Sequence, residues 1–206
     1  MSQATVINIL PSALIGTGVY RECYIHPEKD DQCIKIVYRE GGDAETDREQ
    51  KYYRYLSKRG ISWEMLARFH GNIETNLGPG AVFDLIRDYD DNISKTLDTY
   101  FKSTDETCVP YTNIFQSLFE LKHYLLKYNI ITMAFKPKNI LYKRLSETTG
   151  RCVIVDSLGN SDFIPICTYN KFLGNKKILR KWDRFEKLLL KEYRDNTKLK
   201  KFILQD

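Results

Sequence analysis

The chain has 206 residues, 42% hydrophobic and 29% charged, with a net charge of +5. This is an ordinary balance for a soluble globular protein, with enough chain to bury a full core. Five scattered cysteines without C-x-x-C spacing argue against a structural zinc site or a disulfide framework, and no apolar run approaches the ~20 residues needed to cross a bilayer.

Taken in order, Val6–Ile15 reads as an extended segment interrupted by Pro11, and Gly16-Thr17-Gly18 as a turn. The start, Met-Ser-Gln-Ala-Thr, has no basic region ahead of this apolar stretch, so no signal peptide is expected and the protein is expected in the cytoplasm. Val19–His26 reads as the returning strand, and Gln32–Tyr38 alternates as a third. A helix is predicted over Ala44–Lys58, with Tyr52, Tyr53 and Leu56 on one face. Strands follow at Phe69–Glu74 and Ala81–Ile86, joined by the hairpin signal Asn76-Leu77-Gly78-Pro79-Gly80. Helices are predicted over Asn92–Lys102 and Asn113–Tyr128, the second opening on Asn113 and Gln116 as a capping box. Strands at Ile140–Tyr142 and Cys152–Asp156 flank a turn near Glu147–Gly150. From Lys171 to Phe202 the chain reads as mostly helical, with Ile178, Trp182, Phe185 and Leu189 on one face. The basic excess lies here: Lys171–Asp206 holds twelve Lys/Arg against five Asp/Glu.

Four motifs lie on this framework. Gly16-x-Gly18 is in the first hairpin, and Cys33-Ile34-Lys35-Ile36 is on the third strand. Lys136-Pro137-Lys138-Asn139 follows the long helix, and Asp156-x-x-Gly159 follows the next hairpin. Each is weak alone. In this order they resemble the glycine loop, strand lysine, catalytic loop and metal-binding turn of a protein kinase. The match narrows at Gly16–Tyr24, Asn76–Gly80, Asp84–Tyr89 and Asp162-Phe163-Ile164-Pro165, which resemble the YrbL family, small bacterial kinase-fold proteins named for the PhoP regulatory network. The resemblance runs from Leu14 to about Leu190. It implies an α+β, bilobed protein-kinase-like fold, with a five-stranded N-lobe over 1–86 and a reduced helical C-lobe over 87–206. It also implies binding of ATP and Mg²⁺.

The residues carry that chemistry as follows. Glycines 16 and 18 let a hairpin backbone approach phosphates; alone they would be an ordinary tight turn. Arg21 stands where kinases have a third glycine, and is expected to add a cation over the phosphates. Lys35, on an apolar strand, needs a partner if buried. It is expected to hold the α/β-phosphates and to pair with Glu49, with Glu45 as competitor; the plain alternative is a lysine on a solvent-facing edge. Phe83-Asp84-Leu85-Ile86 is the expected hinge, with adenine bonded to the backbone of Asp84 and Ile86. Lys136 matches the lysine that reaches the γ-phosphate, while Asn139 and Asp156 match the two Mg²⁺ ligands. Their plain alternatives are a turn residue and a strand-end cap.

One position departs from the pattern. Ala134 stands where kinases carry the aspartate that orients the attacking hydroxyl. Either the natural protein is a pseudokinase, an ATP-responsive regulatory binding protein, or the alanine replaces a natural aspartate in a phosphotransferase that is then inactive or crippled. The otherwise intact set favours the second. Only 47 residues follow Gly159, without an Ala-Pro-Glu segment. The expected hydroxyl substrate is therefore a small molecule, a lipid-linked sugar or the protein itself. A third class rests on Lys176, Lys177, Arg180, Lys181, Arg184, Lys187, Lys191 and Arg194 as a cationic face that contacts an acidic surface; its plain alternative is the solvated side of a packed helix.

Overall fold

The computed structural model describes residues 6–103, 109–162 and 164–205. Met1–Thr5, Cys108 and Phe163 of the Asp162–Pro165 stretch lie outside the described residues. The chain forms two compact units, one comprising residues up to Trp63 with Ala67–Ile86, the other Glu64–Leu66 with the residues from Arg87 on.

The first unit is a five-stranded sheet and one helix. Its strands are β1 (Leu14–Thr17), β2 (Arg21–Ile25), β3 (Gln32–Val37), β4 (Phe69–Thr75) and β5 (Gly78–Asp84), with α1 (Gly42–Ser57) between β3 and β4. The order across the sheet is β1-β2-β3-β5-β4, and every neighbouring pair is antiparallel. Alternation along β3 sends Ile34 and Ile36 to one face, where Tyr24, Val82 and Ile9 complete a buried cluster. Ile9 comes from a strap ahead of β1. The Ile7 N–H donates to Glu74 O at 2.9 Å. The side-chain amide of Asn76 accepts from Ile9 N–H at 2.7 Å and donates to Ile9 O at 3.2 Å. The stretch expected as one extended piece is thus a strap and then a strand, separated by a 3-10 turn at Pro11–Ala13 that the fixed φ of Pro11 opens. The β4–β5 hairpin is tighter than its sequence suggests. Gly78, at φ 106°, lets the chain reverse within Asn76-Leu77, so β5 starts three residues before Ala81.

The second unit holds a three-stranded sheet, β6 (Lys95–Thr96), β7 (Ile140–Arg144) and β8 (Gly150–Ile154), in the order β6-β7-β8. Its helices are α2 (Leu97–Phe101), α3 (Tyr111–Tyr128), α4 (Ile166–Tyr169), α5 (Lys171–Glu192) and α6 (Thr197–Gln205). Two sequence expectations fail here. The helix expected from Asn92 begins only at Leu97, because Asp88 captures the preceding loop. Its carboxylate accepts from Ser94 Oγ at 2.5 Å and from Arg144 Nε at 2.7 Å, and Lys95–Thr96 pair with β7. Thr96 then caps α2 by accepting from Thr99 N–H at 3.1 Å. The capping box at Asn113 is also absent. Pro110 opens α3 two residues earlier, and the freed Asn113 amide donates to Thr148 O in the β7–β8 turn.

In α5 the expected stripe of Ile178, Trp182, Phe185 and Leu189 is buried. Side chains of this size contribute about 1.5–3 kcal/mol each when fully buried. Among the described residues, no helix is long and apolar enough to cross a membrane.

Candidate functional site

The candidate residues fall into two groups, one in each unit. In the sheet unit, the registers Cys23↔Lys35 and Lys35↔Ala81 place Lys35 on the face opposite Ile34 and Ile36. Phe83, paired with Cys33, shares that face. Helix α1 covers it: Tyr53 meets Phe83 edge-on with ring centroids 5.3 Å apart. Lys35 is only 7% exposed, and its ammonium lies 4.6 Å from the Phe83 ring centre. That excludes a lysine on a solvent-facing edge.

Glu49 points from α1 into the same interior and is fully buried, while Glu45 is half-exposed. Among the expected carboxylates, Glu49 is therefore the interior one. Its Oε2 accepts from Arg21 Nη1 at 2.6 Å. The Arg21 side chain is 9% exposed, so this pair is desolvated as well as charged. Sequence reasoning set Arg21 over phosphates; the structure turns its guanidinium onto a helix carboxylate. Nearby, the buried Cys33 thiol is held well above the usual thiol range, by its hydrogen bond with Cys23 first and by burial second.

Gly16 lies within β1, opposite Cys23, and a Cβ there would meet nothing within 4 Å. The turn itself spans Gly18–Tyr20, one step later than the glycine pair suggests, because strand pairing continues through Thr17. Gly18 N–H closes it onto Arg21 O at 2.7 Å, and a Cβ at 18 would come within 3.2 Å of that oxygen. At the end of β5 the Asp84 carboxylate accepts from Arg68 N–H at 2.8 Å and meets His70 Nε2 at 2.6 Å. Asp84 thereby ties the start of β4 to the end of β5. Leu85 N–H donates to Asp31 O at 2.8 Å, and half-buried Ile86 ends the unit.

In the second unit, the segment Ile131–Met133 is stitched to Ser157–Gly159. Met133 N–H donates to Ser157 O at 2.7 Å, and Gly159 N–H donates to Ile131 O at 2.9 Å. Lys136 precedes a 3-10 turn of Pro137–Asn139, closed by Asn139 N–H onto Lys136 O at 2.9 Å. Val155 N–H then donates to Asn139 O at 3.0 Å. The Asn139 amide donates to Ser157 Oγ at 2.9 Å, while Asp156 Oδ1 accepts from Ser157 N–H at 2.5 Å. Ser157 adopts φ 63°, a strained value for a serine, and is contacted both by the Asn139 amide and by the carboxylate of its bonded neighbour Asp156. These are an amide and a carboxylate, hard oxygen donors of the kind a small divalent cation takes together with water. Among the described residues, no cluster of three His, Cys, Asp or Glu forms a richer metal site.

Ala134 is half-buried, and Lys136 is exposed. Between them Phe135 is driven inward onto Trp182 and Phe185, at centroid distances of 5.4 and 5.8 Å. The loop is therefore held by main-chain bonds and by one aromatic anchor. Sequence reasoning missed two lysines that serve it. Lys181 Nζ donates to Met133 O at 2.6 Å, and its pKa is lowered, by burial first and by Lys177 second. Lys177 is buried and donates to Asp162 Oδ1 at 2.6 Å and Asn160 Oδ1 at 2.5 Å. The sequence reading places both on a cationic outer face. Lys177 is next to Ile178 and Lys181 is next to Trp182, but the same i,i+4 spacing joins the exposed Lys176 and Arg180, so spacing alone does not distinguish the inward pair.

The profile of the PhoP regulatory network protein YrbL family matches residues 7–190. The chain belongs to the YrbL family. It is 41% identical over 182 residues to the uncharacterized protein YrbL of Escherichia coli (strain K12), covering 87% of this chain and 86% of that one. The same identity and coverage relate it to the uncharacterized protein YrbL of Shigella flexneri. The family thus spans Gly16, Lys35, Glu49, Ala134, Asn139 and Asp156 alike.

Proposed function

We propose that this YrbL-family chain is an ATP- and Mg²⁺-dependent phosphotransferase of the protein-kinase type, crippled by alanine at position 134. The observation that carries the reading is the joining of Asn139 and Asp156 through Ser157, directly after the exposed Lys136. Two hard oxygen donors, with the exposed Lys136 three residues before Asn139, suit a metal-bound polyphosphate. The buried Lys35 and the Gly18 turn support the reading from the sheet unit, as a cation for phosphate oxygens and a backbone free of side chains.

In this reading Asn139 and Asp156 would hold Mg²⁺, which would neutralise phosphate charge when bound. Within the second unit, Lys136 would bind the γ-phosphate. The acceptor hydroxyl would attack phosphorus as the bond to the ADP oxygen breaks, and its proton would pass to solvent water here or to the carboxylate in Ala134→Asp. Thr132–Ile140 contains no Asp or Glu, so this loop orients no hydroxyl with a carboxylate. The lost contribution is about 10²–10⁴-fold in turnover.

ATP with Mg²⁺ should raise the melting temperature, and Lys35→Ala or Asp156→Ala should each shrink that shift. If neither variant changes it, the assignment is wrong. Ala134→Asp should raise phosphate transfer from radiolabelled ATP to the protein or to cell extract by the same ~10²–10⁴-fold. ATP binding without turnover in Ala134→Asp would instead make the protein a pseudokinase. Equal ATP hydrolysis with alanine and aspartate would remove the role given to position 134.

A further inference from the structure

One stretch of the second unit presents its apolar side chains outward. Tyr169 is 72% exposed, Phe172 66% and Ile164 64%, and Ile166, Leu173 and Leu179 are exposed beside them. Six large apolar side chains within sixteen residues are more than the scatter of single hydrophobes on an ordinary surface.

The segment is fixed in this attitude by its polar inner side. Asn129 Nδ2 donates to the carbonyls of Cys167 at 3.1 Å and Thr168 at 3.2 Å. Asn160 Nδ2 donates to Thr168 Oγ1 at 3.2 Å, and Asn170 caps α5 by accepting from Leu173 N–H at 3.0 Å. Thr168 is buried while Ile166 and Tyr169 on either side point out. The inner bonds leave the apolar residues no route into the core.

Along this stretch the charge has one sign, although exposed Asp162 and Asp183 flank it and Glu64 and Glu120 line a cleft with Lys171. From Ile164 to Trp182 the chain carries five Lys/Arg and no Asp/Glu. Lys177 and Lys181 are turned inward, which leaves Lys171, Lys176 and Arg180 exposed among the apolar tips. The Lys176 ammonium lies 4.4 Å from the Phe172 ring centre, so cation and aromatic ring are presented together.

The geometry points to this surface, Ile164–Arg180, as a docking site for an anionic phospholipid bilayer. The aromatic and aliphatic tips enter the boundary between headgroups and acyl chains, and the three cations meet the lipid phosphates. A second copy of the chain is a poorer occupant, because a two-fold contact would set these cations against one another. Nucleic acid is poorer as well, since four of the six apolar residues are aliphatic and offer no face for base stacking. The proposal is independent of phosphotransfer: it uses neither Lys35 nor the Lys136–Asp156 loop.

The test is co-sedimentation of the full chain with vesicles of phosphatidylcholine, alone or mixed with phosphatidylglycerol. The chain should partition onto the mixed vesicles, remain in solution with the neutral ones, and release as salt rises. Reversing the three exposed charges (Lys171→Glu, Lys176→Glu, Arg180→Glu) should lower partitioning about a hundredfold. Ile166→Ser with Tyr169→Ser and Phe172→Ser should lower it at least about tenfold. Circular dichroism melts verify that both variants fold. Phe172→Trp is an independent reporter that needs no loss of packing, and its emission should shift to the blue on mixed vesicles alone. Any of four results overturns the proposal: no partitioning of the parent chain, equal partitioning onto neutral vesicles, undiminished partitioning of folded variants, or a solution dimer that Phe172→Ser abolishes.

Discussion

Arg21, Lys35 and Glu49 sit in the interior of the sheet unit, whereas Ala134, Lys136 and Asn139 ride on a loop of the helical unit that is held mainly by its backbone. The first group is positioned by strand register and helix docking, and its charges are desolvated. The second is positioned by hydrogen bonds from Met133, Asn139, Val155 and Gly159, with Phe135 as anchor. In the sheet unit, a change of charge alters the fold along with any ligand site. On the loop, side chains can change while the frame persists. A candidate role can therefore be tested cleanly at 134 or 136, but at 49 only with stability measured beside it.

The largest expected effect is in the sheet. Glu49→Ala leaves Arg21 in the interior without this carboxylate, and should lower unfolding free energy by about 3–5 kcal/mol in urea melts. Arg21→Ala should do the same, and the double variant should lose less than the sum of the two. Additive losses would mean that the pair is not coupled, and the comparison would fail at its first term.

On the loop the corresponding test is Lys181→Ala. It removes a charged donor from Met133 O, and should cost about 1.5–3 kcal/mol, less than the sheet pair. A loss as large as that of Glu49→Ala would mean that the loop depends on side-chain charge as heavily as the sheet does.

The pH dependence has an acid and an alkaline limb of opposite sign, each with a buried group that contributes to it. His26, buried in the sheet unit, has its pKa lowered from 6.5, by burial first and by Lys29 second. Below that value the unfolded chain binds the extra proton more readily, so this contribution to stability falls as pH drops. Cys152, buried in β8, has its thiol pushed up from 9.0 to about 12, chiefly by burial. Between those values the unfolded chain has lost a proton that the folded chain keeps, so stability falls as pH rises. His26→Gln should flatten the acid limb. Cys152→Ala should flatten the alkaline limb by at most about 1.4 kcal/mol per pH unit. Unchanged limbs in guanidinium melts across pH would contradict both assignments.

The smallest expected effect is at Ala134 itself. The half-buried site lies on a loop held through neighbouring residues, so Ala134→Asp should shift stability by no more than about 0.5 kcal/mol. A large destabilisation would show that the frame does depend on this side chain, and would cloud any activity comparison between alanine and aspartate.

Much of this was legible in the residues. Alternation and turn signals placed five strands and a helix in the order found, since a strand with one buried face must repeat every second residue. An isolated lysine between isoleucines marked Lys35 as interior, whereas Asn139 and Asp156 were singled out by resemblance to a kinase catalytic loop and metal-binding turn rather than by spacing. The apolar stripe of α5 followed from helical period alone.

Tertiary structure decided which charge meets which. Arg21 and Glu49 are 28 residues apart, and only the β2–β3 register together with the seating of α1 brings them to 2.6 Å. Asp88 and Arg144, 56 residues apart, form the contact that delays α2, which no local propensity for Asn92–Lys95 encodes. Lys177 and Lys181 carry the same charge and belong to the same helix as Lys176 and Arg180, yet the first two turn inward and the others face water. Composition and period describe what a side chain is and which face of its own element it occupies. Desolvation and pairing depend on what other elements place opposite that face, and that is determined only when the chain has folded.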